Sequence, residues 1–242
     1  MQAILFLVFA VFISSLVNSI FGFGFALVVL PLLSMYFKFS LLGPLIPLLF
    51  WTGSFFIILR NWKKIDFGSI LPLAIAATVI VPIGVYLNRY GNENLIKGAL
   101  GLFIVAFSIY NLAAPKMPSL KDGKWAPFFG GLSGFFGGLC NISGPPVVIY
   151  GTLRQWSPPI FRVSLQCYFV YLNLMIVANH VYHGSYSDPL VFQYYLYSCP
   201  AMLAAVPLGK KINSSIKDPE QFNKYVYILM IVAGAMLIFK SI

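Results

Sequence analysis

Charge is scarce in this chain: only 9% of its 242 residues are Asp, Glu, Lys or Arg, against 60% hydrophobic and 17% aromatic. With a mean hydropathy of +0.86, that composition excludes a soluble domain and makes the lipid bilayer the chain's partner and solvent. Acid is scarcer still. The six acidic residues, Asp66, Glu93, Asp122, Asp188, Asp218 and Glu220, all fall in loops or at expected span ends. No carboxylate is left for the membrane interior, which argues against a cation site and against a carboxylate proton relay. Cysteine is limited to Cys140, Cys167 and Cys199, all in apolar stretches without metal-ligand spacing, so neither a disulfide framework, a metal centre nor a cofactor follows. His180 and His183 sit near an expected outer loop and read as bland. With the scattered cysteines they supply no nucleophile, base or metal cluster, so the chain does not read as an enzyme. The N-terminus, Met1-Gln-Ala-Ile-Leu-Phe6, has neither a basic n-region nor a small-residue cleavage site, and the first segment is expected to stay in the mature protein.

What the chain has is a series of apolar stretches near the span length of about twenty residues. They run at 3–17 and 25–37 around a break at 18–24, then 44–59, 68–88 and 95–114. After the hydrophilic stretch Pro115–Lys124 the order repeats: 126–139 and 147–153 around a break at 140–146, then 159–180, 189–209 and 222–240. Trp51, Trp62, Trp125 and Trp156 read as interface anchors near span ends. The formal net charge is +10, but the 16 Lys and Arg are spread through short loops, as topology signals rather than a nucleic-acid surface.

The two breaks, Asn18-Ser-Ile-Phe-Gly-Phe-Gly24 and Cys140-Asn-Ile-Ser-Gly-Pro-Pro146, carry the chemistry. A helix is interrupted in lipid only where it lines a cavity or is buried in protein. Paired interruptions in corresponding halves point to a transporter's binding site. Gly22 and Gly24 allow close backbone approach or, alternatively, mere helix packing. Pro145 and Pro146 are expected to force Gly144 out of helical geometry. Asn18, Ser19, Asn141 and Ser143 are compact donors suited to an oxyanion, and equally to capping broken helix ends. Helix starts freed at the breaks add N–H groups and the positive ends of dipoles, so the expected ligand is a small anion. Arg162 either reaches inward as counter-charge or snorkels to headgroups. Gln166 and Asn173, seven residues apart on one helical face, either line the path or bridge helices.

Self-comparison suggests duplication. Pro82-Ile-Gly84 pairs with Pro207-Leu-Gly209, and Glu93 and Lys97 pair with Glu220 and Lys224, in the same order as the breaks. At the breaks the register is open, with either Gly22 or Asn18 opposite Asn141. Residues 1–114 are read as a first repeat, 115–125 as a linker and 126–242 as a second repeat. Lys and Arg concentrate in four loops: Arg60, Lys63 and Lys64; Lys116, Lys121 and Lys124; Arg154 and Arg162; and Lys210, Lys211, Lys217 and Lys224. Placing those loops in the cytoplasm makes 126–153 a hairpin that leaves from and returns to one side. The expected fold is an all-α polytopic membrane protein of two inverted-topology repeats, each a broken helical hairpin plus three transmembrane helices, with both termini outside. Full crossing by each arm is the alternative.

The run Gly134-Phe-Phe-Gly-Gly-Leu-Cys-Asn-Ile-Ser-Gly-Pro-Pro-Val-Val-Ile-Tyr150, followed by Pro159-Ile-Phe-Arg162, resembles the sulfite exporter TauE/SafE family, and Phe21-Gly-Phe-Gly-Phe-Ala26 with Pro31 looks like its N-terminal counterpart. Asn141 and Ser143 depart from that family's more usual glycine runs, as does Phe25-Ala26. The resemblance implies secondary transport of a small sulfur-containing anion, sulfite or an organosulfonate, outward across a bacterial inner membrane. Transport of another small anion, such as a carboxylate in uptake mode, is the alternative.

Overall fold

The computed structural model describes residues 2–59, 65–113, 119–120, 122–215 and, in the last segment, 227–228, 230–232, 234–236, 238–239 and 241. Among them every regular element is helical. The order is α1 (Gln2–Phe21), α2 (Phe25–Leu33), α3 (Phe39–Ile58), α4 (Phe67–Tyr90), α5 (Glu93–Ala113), α6 (Ala126–Cys140), α7 (Gly144–Leu153), α8 (Pro158–Tyr182), a 3-10 turn at Ser185–Ser187, and α9 (Pro189–Ser215). The described residues from 227 onward are helical too. Among the described residues five helices are long and apolar enough to cross a bilayer: α1, α3, α4, α5 and α8. Helix starts are set locally. Asp66 Oδ1 accepts from Ser69 N at 3.2 Å, Asn92 Oδ1 from Asn94 N at 2.9 Å, and Asp188 Oδ1 from Leu190 N at 2.9 Å, each satisfying donors that a helix leaves orphaned.

Both breaks are shorter than the sequence suggested. α1 runs through Asn18 and Ser19 to Phe21, and only Gly22, Phe23 and Gly24 leave the helix, with φ of +84° at Gly22 and +100° at Gly24. Asn141, Ile142 and Ser143 form the second interruption. Contrary to expectation, Gly144 is helical, and Pro145 and Pro146 lie in the first turn of α7. A proline there gives up an N–H that would be orphaned anyway, and glycine lacks the Cβ that disfavours helical geometry before proline. Asn141 closes α6 in the left-handed region at φ +59°, its N–H donating to Gly137 O at 2.8 Å and that of Ile142 to Phe136 O at 3.2 Å. The first of these bonds, from the left-handed residue to the carbonyl four back, is the αL helix ending.

The chain reverses at each break. Ser133 Oγ donates to Ser143 O at 2.7 Å, whereas a continuous helix would separate those residues by about 15 Å. At the open end of the same hairpin Leu120 N donates to Leu153 O at 2.8 Å, and Arg154 Nη1 to Leu120 O at 3.1 Å. Likewise the Phe6 and Tyr36 rings, 4.6 Å apart, join the open ends of α1 and α2. The protein therefore holds two antiparallel helical hairpins, α1–α2 and α6–α7.

Around them α4 packs on α6, α1 on α9, and α3 on α8. The α4–α6 contact depends on a row of three glycines spaced four residues apart, Gly130, Gly134 and Gly138, pressed against the backbone at Leu73, Ala77 and Val81, the close approach that small residues permit in lipid. α5 meets the last segment at Gly101 and Gly234, where a methyl on Gly101 would stand 2.5 Å from Gly234 O. Asn88 Nδ2, from α4, donates at 2.8 Å to Leu139 O in the last turn of α6. Replacing Asn88 by Leu should leave that carbonyl unpaired and cost about 1–3 kcal/mol, read as a lowered melting temperature of the purified protein in detergent.

Asp66, Asp122 and Asp188 lie between helices and Glu93 opens α5. Lys210 and Lys211 extend α9 rather than sit in a loop. Arg60, Lys63, Lys64, Lys116, Lys121, Lys217 and Lys224, with Asp218, Glu220 and Trp62, lie outside the described residues. Trp51 is no end anchor. It sits within α3, its ring stacked on Phe55 with centroids 5.4 Å apart.

Candidate functional site

The two hairpin tips touch. A Cβ on Gly144, the first residue of α7, would stand 4.0 Å from Phe23 Cβ in the other tip and 3.8 Å from Phe169 Cζ. Phe25, which opens α2, packs its ring 5.3 Å from Phe50, and Phe50 packs 5.0 Å from Phe169. Phe50 is the twelfth residue of the 20-residue α3, and Phe169 the twelfth of the 25-residue α8. The tips thus meet near mid-height of two long, packed helices, with an aromatic cluster at the meeting point.

The sequence-predicted site residues do not gather at one point but fall into two polar clusters. The first surrounds the Gly22–Gly24 tip. Gln166 is fully buried, and its Nε2 donates to Gly22 O at 2.7 Å and to Asn18 Oδ1 at 3.4 Å. Its Oε1 has no partner among the described residues. Arg162 Nη2 donates to Ile20 O at 2.5 Å, and its Cγ lies 3.1 Å from where a Cβ on Gly22 would be. Arg162 is therefore turned inward onto the end of α1, not outward to headgroups. The first turn of α2 has no side-chain cap, so its N–H groups and positive dipole end face the tip.

The second cluster surrounds Asn141. Its Nδ2 donates to Gly43 O at 3.2 Å, and its Oδ1 is buried without a partner among the described residues. The bond has a local cause: Pro47, four residues after Gly43, has no N–H to give that carbonyl. His180 and Asn88 close on the same glycine, whose Cβ would meet Asn88 Oδ1 at 2.5 Å and His180 Cε1 at 3.3 Å. His180 Nδ1 pairs with Ser185 Oγ at 3.1 Å, and Arg89 Nη1 donates to that Oγ at 3.0 Å and also to His183 O. Tyr186 OH covers the cluster, donating to Pro44 O at 3.0 Å. Fourteen residues of α8 separate Gln166 from His180, about 21 Å along the axis.

Two predicted donors are committed elsewhere. Ser19 Oγ donates to Val206 O at 2.7 Å, a tie to α9, and Asn173 Nδ2 donates to Phe169 O in its own helix at 2.8 Å. Ser143 receives the Ser133 bond on its carbonyl and gives α7 no side-chain cap. With prolines at 145 and 146, the start of α7 also offers fewer N–H groups than that of α2. Sequence reading passed over Gly43, Asn88 and His180. Asn88 inside an apolar stretch and the Gly43-Pro44…Pro47 pattern were the available signals; His180 looked bland yet is 1% exposed.

Helical hairpins meeting tip to tip inside a shell of long apolar helices define a multi-pass integral membrane protein. Within that class, the family model described as Sulfite exporter TauE/SafE matches residues 7–237, and the chain belongs to this family. Membership makes it a membrane exporter of sulfite or a related small sulfur anion, one of a family of transporters rather than enzymes. No curated protein and no solved structure matches the chain.

Proposed function

We propose that the chain exports sulfite or an organosulfonate by alternating access, the anion being held at the hairpin tips near the bilayer midplane. The observation that carries this reading is the contact of Phe23 with Gly144 at mid-height of α3 and α8, with a buried polar cluster on either side. Arg162, the open N–H groups of α2 and the Gln166 and Asn18 carboxamides make the cytoplasmic cluster. Asn141, Gly144 and Pro145 belong to the outer tip. The aromatic contact of Phe25, Phe50 and Phe169 divides the two and serves as the gate.

Two inverted repeats, 1–114 and 126–242, are supported by how the elements pair. Exchanging α1 with α6, α3 with α8 and α4 with α9 turns each of the main packing contacts into another or into itself. Asn18 to Asn141 and Gly43 to Gln166 are both separations of 123 residues. Each asparagine belongs to the cluster that holds the other half's partner, Gln166 for Asn18 and Gly43 for Asn141. This favours Asn18, rather than Gly22, opposite Asn141. The proposed setting is a bacterial inner membrane with both termini outside. With the cell interior negative, expelling one monovalent anion gains about 2.3 kcal/mol per 100 mV, enough for the potential alone to drive export.

The test is efflux of labelled sulfite from proteoliposomes. Gly24→Leu, forced into φ +100° with a side chain where Val17 Cγ1 would lie 3.3 Å from its Cβ, is expected to cut flux at least about tenfold. Asn141→Ala should do the same by freeing the Gly43 carbonyl and opening the α6 ending. Unchanged flux in both variants would remove the tips from the pathway. Competition by carboxylates stronger than by sulfonates would replace the substrate class while keeping the route.

A further inference from the structure

The outer cluster contains two buried side-chain atoms that nothing among the described residues satisfies. His180 is 1% exposed and Asn141 2%, yet His180 Nε2 and Asn141 Oδ1 have no hydrogen-bond partner. Both side chains flank one backbone position. Asn141 Nδ2 reaches Gly43 O at 3.2 Å, and His180 Cε1, bonded to Nε2, lies 3.3 Å from where a Cβ on Gly43 would stand. Each unpaired buried polar atom costs about 1–3 kcal/mol. Two of them beside one backbone position are groups that a polar guest would satisfy.

Hydrogen bonding assigns what each atom offers. Ser185 Oγ accepts from Arg89 Nη1 at 3.0 Å, and its own hydroxyl proton can be given to His180 Nδ1, 3.1 Å away. Nδ1 is then the acceptor, and the neutral imidazole carries its proton on Nε2, as a free donor. The Asn141 amide is oriented the same way. Its nitrogen must face the Gly43 carbonyl, so Oδ1 is a free acceptor.

We propose that His180 Nε2–H and Asn141 Oδ1 form an outer subsite for an oxyanion that keeps one acid proton, the hydrogensulfite class. The imidazole donates to an anionic oxygen, and the anion's own O–H donates to Asn141. The proposal rests on the reading of the chain as an anion exporter and adds a basis for selectivity. A sulfonate of equal charge accepts from His180 but has no proton for Asn141 Oδ1, which stays unpaired. A site built to pair with a substrate hydroxyl discriminates strongly against an analogue that lacks it. The subsite lies toward the C-terminal end of α8, past the tips, where an exported anion would pause before release.

The test measures binding of sulfite, held below its second ionisation so that hydrogensulfite prevails, and of methanesulfonate to the purified full-length protein. Wild type is expected to prefer sulfite. His180→Phe should weaken both anions about tenfold, the loss of one hydrogen bond. His180→Gln, whose amide nitrogen can stand where Nε2 was, should remain within about threefold of wild type. Asn141→Gly keeps the left-handed backbone and should weaken sulfite about tenfold more than methanesulfonate, erasing the preference. Folded His180→Phe binding sulfite like wild type overturns the subsite, and so does Asn141→Gly weakening both anions equally. If wild type exports sulfite while the variants bind it unchanged, the subsite alone falls. If wild type neither binds nor exports these anions, the exporter reading falls and takes the subsite with it.

Discussion

Arg162→Leu is expected to lower sulfite efflux about a hundredfold, equivalent to about 2.7 kcal/mol, while leaving the protein folded. Two effects add. Helix ends leave their last carbonyls without intrahelical donors, and the guanidinium meets this need on Ile20 O, two residues before the Gly22 interruption. Losing a charge-assisted hydrogen bond of this kind costs about 1.5–3 kcal/mol. Removing it also takes the positive charge from beside the Gly22–Gly24 tip, where an anion must leave water. Arg162→Lys tests the division between the two effects. Lysine restores the charge but not the planar fork, so it should recover part of the flux. Efflux normalised to monodisperse protein is the readout. A leucine variant within threefold of wild type would take Arg162 out of the pathway.

Gly134→Leu should have the largest effect on the fold itself. Its Cβ would stand 2.6 Å from Ala77 O and 2.8 Å from Ala77 Cα. Both are backbone atoms of α4, so no side-chain rotation relieves the clash. α4 and α6 must separate, and the neighbouring contacts of Gly130 and Gly138 separate with them. Overpacking of a tight core typically costs about 1–3 kcal/mol and more where backbone must move, and here the expected result is little or no monodisperse protein. Gly131→Ala is the control. Three residues earlier on the same helix, its Cβ would meet only Ile80 Cγ1, at an ordinary 3.8 Å. That variant should melt at or slightly above the wild-type temperature, since alanine favours helix over glycine by up to about 1 kcal/mol.

The two lesions separate structure from transport. Arg162→Leu leaves the glycine-mediated α4–α6 contact intact, and Gly134→Leu leaves the polar groups at both tips chemically unchanged. A thermal melt and a flux measurement on the same preparations therefore distinguish them.

Much of the layout was legible before any coordinates. The breaks were found because Gly, Asn and Pro stand out against apolar sequence, and lipid tolerates such residues in few places. Their boundaries were drawn too wide, since Asn18 and Ser19 can stay helical when their side chains find partners on α8 and α9. Gly144 was misread because the rule for residues before proline weakens for glycine. His180 was dismissed on its nearness to a loop, but the 3-10 turn at Ser185–Ser187 folds back so that Ser185 pairs with its ring.

Composition and pattern alone determined that this chain lives in a membrane, reverses or breaks twice, and keeps carboxylates out of the interiors of its apolar stretches. Those properties follow from hydropathy, from the backbone demands of glycine and proline, and from the cost of charge in lipid, all of which are local or summed over short windows. Only the tertiary structure decided that the hairpin tips touch, that Arg162 turns inward, and that the polar residues divide into two clusters. These depend on pairs such as Asn141 with Gly43 and Ser19 with Val206, far apart in sequence and brought together by helix packing that no local period encodes.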